Sequence, residues 1–140
     1  CPDSALACNT TVTALLMRCC NARERGARKL AHGLTYNQNM HRHCSLLHVD
    51  LWGNGIGHEG AVAMSKMLPL NYSLTILDLA SNMMEADGID CLARSLEDNY
   101  TLTSLNLSDN WDGADGGQGQ DAAADADRHL PHAATGDVLL

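Results

Sequence analysis

The chain repeats itself every 28 residues, and that period decides what it can fold into. Leu46, Leu74 and Leu102 stand 28 apart, as do Leu51, Leu79 and Leu107, and Asn54, Asn82 and Asn110; Val49, Leu77 and Leu105 fill the apolar place between. Each unit therefore reads L-x-x-L-x-L-x-x-N, with Val allowed once. The second half is also in register, Gly60 with Gly88, Met64 with Leu92, Leu68 with Leu96, Asn71 with Asn99 and Tyr72 with Tyr100. A fixed period of roughly 20 to 50 residues marks an architecture of stacked repeats.

Within a unit the apolar spacing changes from two to three and four, which predicts a short strand, a turn and a helix of about three turns. No such unit buries its own leucines, so it must stack on its neighbours. The asparagines divide the polar work. Asn54, Asn82 and Asn110 end the strands, where a buried amide bonds to the backbone of its own loop and the next. Asn71 and Asn99 are expected to end the helices in the left-handed conformation that Asn tolerates.

The segments LLHVDLWGNGIGHEGAVAMSKMLPLNYS, LTILDLASNMMEADGIDCLARSLEDNYT and LTSLNLSDN resemble the ribonuclease-inhibitor-like class of leucine-rich repeats. Ribonuclease inhibitor, NOD-like receptors, tropomodulins and the Ran GTPase-activating protein share this class. The resemblance implies an α/β horseshoe fragment, a curved solenoid with parallel strands on its concave face and helices on its convex face. Looser copies extend toward the N-terminus. Val12, Leu15, Met17 and Cys20 keep the spacing, with Cys in the Asn place, and GARKLAHGLTYN (26–37) repeats the helix of GAVAMSKMLPLN (60–71). From Val12 to Leu46 is 34 residues, six more than the period.

The organisation read from these matches is a tail of a preceding repeat at 1–11, a divergent repeat with a long junction at 12–45, repeats at 46–73 and 74–101, a partial repeat at 102–116, and an irregular acidic Gly/Ala/Asp tail at 117–140. The chain begins with Cys and opens in mid-repeat, which reads as part of a longer chain or a complex. An array without a polar end unit leaves its last leucines bare, so Leu105 and Leu107 are expected to need a cover from outside, with Trp111 capping the last turn.

The formal net charge of −8 is unevenly spread. Arg18, Arg23, Arg25, Arg28, Lys29 and Arg42 face only Glu24 between residues 18 and 45, whereas from Asp78 onward 13 acidic residues face only Arg94 and Arg128. That polarity argues against a nucleic-acid partner. No run approaches the ~20 apolar residues of a membrane span, and no signal peptide is visible. The six cysteines have irregular spacing and read as free thiols of a reducing compartment, placing the chain in the cytoplasm, including its cytoskeleton or cilium.

Chemistry-bearing clusters are sparse. His41, His43, Cys44 and His48 fall within eight residues, but their spacing matches no standard zinc module, and they read as loop and strand residues. GGQGQDAAA (116–124) has the outline of a calcium nonapeptide, with Ala123 where a large apolar residue belongs and no stacked copy. Asn9, Asn71, Asn99 and Asn106 head glycosylation sequons, three of which fall at the helix-ending Asn that the period itself explains. No nucleophile elbow, phosphate loop or H-E-x-x-H occurs, so neither an enzyme nor a cofactor is expected.

The surface that remains is the concave face. Residues flanking the inward leucines form columns: Ala14, Leu16 and Arg18; His48, Asp50 and Trp52; Ile76, Asp78 and Ala80; Ser104, Asn106 and Ser108. Asp50, Asp78 and Asn106 make an acidic to polar stripe beside Trp52, and His48, Ile76 and Ser104 complete the face expected to bind a protein with a basic surface. The rival expectations are a structural component of a ciliary or cytoskeletal assembly, and a sensor segment of a NOD-like receptor or GTPase regulator.

Overall fold

The computed structural model describes residue 6, residues 9–41 and residues 45–110, with the backbone alone for residues 37–41. Four strands, β1 (Ala14–Leu16), β2 (His48–Asp50), β3 (Ile76–Asp78) and β4 (Ser104–Asn106), form one parallel sheet in chain order. The helices α1 (Arg23–His41), α2 (Gly57–Met67) and α3 (Glu85–Ser95) pack side by side in the same order. The sheet register is Leu15, Val49, Leu77, Leu105 in one row, with Ala14, His48, Ile76, Ser104 and Leu16, Asp50, Asp78, Asn106 on either side.

The fold follows from the alternation. The middle residue of each three-residue strand turns inward and its neighbours outward, because successive side chains of a strand point to opposite faces. Val49, Leu77, Leu105 and the inward Leu51, Leu79, Leu107 join Leu46, Leu74, Leu102 and the apolar stripes of α2 and α3 in one buried cluster. The helices approach closely where side chains are smallest: a Cβ added at Gly60 would lie 3.2 Å from the Cβ of Ala27, and one at Gly88 3.0 Å from that of Ala61.

Asparagine holds the turns together. The Asn82 Oδ1 accepts from the backbone N–H of Asn54 (2.9 Å) and Ile56 (3.3 Å), while its Nδ2 donates to the carbonyls of Leu51, Leu79 and Ala80. Asn54 does the same one unit earlier, accepting from Cys20 and Ala22 and donating to Met17, Leu51 and Trp52. Asn110 repeats it one unit later, accepting from Asn82 and donating to Leu79, Leu107 and Ser108. The first N–H of each helix is met in the same way, Arg23 by the Asn54 carbonyl, Gly57 by that of Asn82 and Glu85 by that of Asn110. Orphan donors that a helix start always carries are thus satisfied by the next repeat.

These turns demand left-handed backbone at three places in each unit. Gly53, Gly55 and Gly57 supply it in the second unit, but Cys19, Asn21 and Arg23 in the first and Ser81, Met83 and Glu85 in the third adopt it with side chains. Each such residue costs about 1 kcal/mol that glycine avoids.

Three expectations change. Asn71 and Asn99 are not left-handed caps: each is extended, at φ −104° and −106°, after the 3-10 turns Leu68–Leu70 and Leu96–Asp98 that finish α2 and α3. Their side chains explain why. Each Oδ1 accepts two backbone N–H groups ahead of it, Ser73 and Leu74 or Thr101 and Leu102, which requires the chain to leave the helix extended. Asn9 accepts from Thr11 and Val12 in the same way. Second, α1 runs on to His41, so helix occupies much of the longer junction. Third, Leu105 and Leu107 are 1% and 3% exposed within the chain and belong to the one buried cluster.

One buried amide is left over. Asn99 Nδ2 donates to the carbonyls of Leu68 and Asn71, but Asn71 Nδ2 has no partner. The corresponding acceptors, 28 residues earlier, fall at positions 40 and 43, inside the junction that departs from the period.

Two outcomes follow in urea unfolding. Asn82→Ala strips two buried N–H groups and three carbonyls of a partner and lowers stability by about 4 kcal/mol. Met83→Gly relieves the left-handed strain and raises stability by roughly 0.5 kcal/mol, where the same change in a helix would lower it.

Candidate functional site

The concave columns are brought together as the sequence predicts, and the geometry alters what they offer. Leu16, Trp52 and Ile76 are exposed at 65%, 38% and 39%, whereas Asp50 is buried at 5% and Ala80 at 1%. His48, Asp78, Ser104 and Asn106 are half-buried. The face therefore carries one exposed apolar or aromatic residue from each of the first three units, with polar groups sunk between.

The polar groups first serve the strands. Asp50 Oδ1 accepts the N–H of Trp52, Asp78 Oδ1 that of Ala80, and Asn106 Oδ1 that of Ser108, so the short acceptor at each strand end shapes the start of the turn. Their other atoms meet one another. Arg18 Nε donates to Asp50 Oδ2 at 2.5 Å, Arg18 Nη2 stands 3.9 Å from Asp78 Oδ2, and Asn106 Nδ2 donates to that same oxygen at 3.2 Å. Asp50, first by hydrogen bonding and then by charge, raises the hold of Arg18 on its proton. The stripe is thus largely compensated within the chain.

Arg18 is the residue that sequence reasoning placed in a column without seeing its pairing. The available signal was its position, two residues beyond the Leu16 that sits in register with Asp50. Also missed were Tyr72 and Tyr100, which recur with the period yet are 65% and 75% exposed, so repetition there does not signify core.

Other candidates resolve simply. His41 ends α1 and His48 opens β2, while His43 and Cys44 lie outside the described residues, as do Trp111, the 116–124 segment and the acidic tail. Among the described residues no group of three or more His, Cys, Asp or Glu is placed to hold a metal. Cys19, Cys20 and Cys91 are free thiols. Asn71 and Asn99 are buried at 1% and 2% and their amides face the interior, which leaves a sugar no access in the folded state. No described helix is long and apolar enough to cross a membrane.

With the geometry established, comparison with known proteins gives two results. A family model described as "Leucine Rich repeat" matches residues 42–65, 71–93 and 98–118. A solved structure titled "Leiomodin-1 Actin-Binding Site 2 (ABS2)" superposes with a TM-score of 0.70 at 20% identity, over 86% of this chain. The alignment covers 65% of that chain, just under two thirds of its length. The likeness is one of fold. No curated protein sequence matches.

The Arg18 and Asp50 pair is testable by substitution. Arg18→Ala leaves a sunken carboxylate without its cation and lowers the urea midpoint, and adding Asp50→Asn, which keeps the turn acceptor and removes the charge, recovers part of the loss. Asp50→Ala removes both roles and destabilises by about 2 kcal/mol.

Proposed function

Since the chain carries leucine-rich repeats stacked as one α/β solenoid, we propose that it is a protein-binding module whose partner seats on the concave face. The observation that carries this reading is the exposure of Leu16, Trp52 and Ile76 on the sheet face opposite the core-facing Val49, Leu77 and Leu105, which are buried. Large apolar and aromatic side chains lose water on contact and anchor interfaces, while the polar groups between them set register. Arg18 and Asp78, one at the open edge and one in the stripe, offer a cation and an anion in reach of each other, so the complementary surface carries a basic group opposite Asp78 with apolar residues around it. Stacked repeats suit gripping an extended surface rather than enclosing a small substrate. The ribonuclease-inhibitor-like subdivision of the repeats belongs to the same proposal, resting on the 28-residue unit and the buried strand-end asparagines.

A cytoskeletal setting is favoured by the likeness to a leiomodin-1 segment whose title names an actin-binding site. Actin is accordingly the first partner to try, and placement in a cytoskeletal assembly is the second form of the proposal.

Binding of the chain to monomeric and filamentous actin is measured by anisotropy and cosedimentation. Trp52→Ala with Ile76→Ser weakens the complex by about 100-fold, equivalent to roughly 3 kcal/mol, and leaves the far-ultraviolet circular dichroism unchanged. Unchanged affinity would remove the concave face from the reading; no affinity for actin in either form would remove the partner.

A further inference from the structure

We propose that Cys19 and Cys20 together form a two-thiol capture site for soft, thiophilic centres with two exchangeable positions, the chemical class of trivalent arsenic. The two residues are adjacent, so their Cα atoms lie about 3.8 Å apart, and both are exposed and free. Cys20 occupies the strand-end place that Asn54, Asn82 and Asn110 fill at 1%, 0% and 3% exposure. As the first rung in the described array it has no buried amide to offer. Its Sγ reaches the Arg18 carbonyl at 3.4 Å, one weak contact where Asn82 Nδ2 makes three.

Cys19 is exposed to solvent on one side and on the other lies close over Gly53, where an added Cβ would stand 3.1 Å from the Cys19 Sγ, so the absent side chain of Gly53 leaves the thiol its place. The turn that carries both thiols is also the one in which Cys19, Asn21 and Arg23 all take left-handed backbone. Weak tethering of Cys20, space beside Cys19 and a strained backbone between them together let both sulfurs turn to one ligand. Thiolate sulfur is the soft donor that such centres prefer.

The step needs no redox partner. A phenylarsenic oxide and two thiols give one phenylarsenic dithiolate and one water: two As–S bonds form, the As–O bond breaks, and both S–H protons leave on the oxygen.

Phenylarsine oxide is the probe. The folded chain is treated with it in excess glutathione and digested with trypsin, which releases the peptide Cys19–Arg23 with both cysteines and none of the other four. The expected product is that peptide carrying one phenylarsenic group with both thiols consumed, stripped by a dithiol but not by glutathione. Cys19→Ser and Cys20→Ser each reduce retention roughly 100-fold, the margin a second tethered ligand supplies. Should Cys20→Ser misfold, Cys19→Ser, whose side chain lies outside the core, still decides the matter. Recovery of the peptide with free thiols, or retention of the label in Cys19→Ser, would overturn the proposal.

Discussion

The structure depends on one arrangement, a carboxamide from each of the second, third and fourth units seated among the backbone groups of the turn before it. Left-handed residues at every second position bend each turn so that its N–H groups converge, and convergent N–H groups form a concave seat for an oxygen. The Asn oxygen fills that seat and its nitrogen donates to three carbonyls of its own turn and the one before. Amide is the only neutral side chain with a double acceptor and a double donor on one short stem. Without it, every turn would carry buried polar groups at a cost that the leucine core beneath would have to offset.

That arrangement explains why the repeat is so legible. Strand, turn and helix each leave a residue pattern with its own spacing, and the stacking forces the spacing to recur, so Leu46, Leu74 and Leu102 announce the architecture by their positions alone. The first unit is harder to read because a helix tolerates extension: α1 continues to His41 where the others stop after eleven residues and a 3-10 turn. Asn71 and Asn99 are legible as helix ends but not in conformation, since Asn serves both a left-handed cap and an extended turn, and only the acceptor role toward the residues ahead distinguishes them.

The candidate face is legible in position but not in character. Alternation along three-residue strands places His48, Asp50, Ile76, Asp78, Ser104 and Asn106 on one side of the sheet with no further information. Whether a carboxylate there is available depends on a cation arriving from a neighbouring strand, and Arg18 comes from the least regular repeat. Tyr72 and Tyr100 show the converse. Both recur with the period and both are exposed, so recurrence reports position in the unit and burial must come from the geometry of the edge.

The unpartnered Asn71 amide makes the joints of the array unequal. Between the second and third units, Asn99 donates twice and Thr101 Oγ1 once across the lower edge; Asn71 brings no such donation back toward the first unit. In a quasi-linear stack each interface contributes separately, and the first joint is stitched elsewhere, by Ser45 Oγ to the Val12 carbonyl, by Asn54 to the backbone of Met17, Cys20 and Ala22, and by Arg18 to Asp50. The two joints are therefore held at different places, the later one at the turns and again at the helix ends, the first one at the turns and at the start of the strand. Arg18, Cys19 and Cys20 all lie on the fastened side of the first joint, each bonded to the second unit, through Asp50, the Trp52 carbonyl and Asn54.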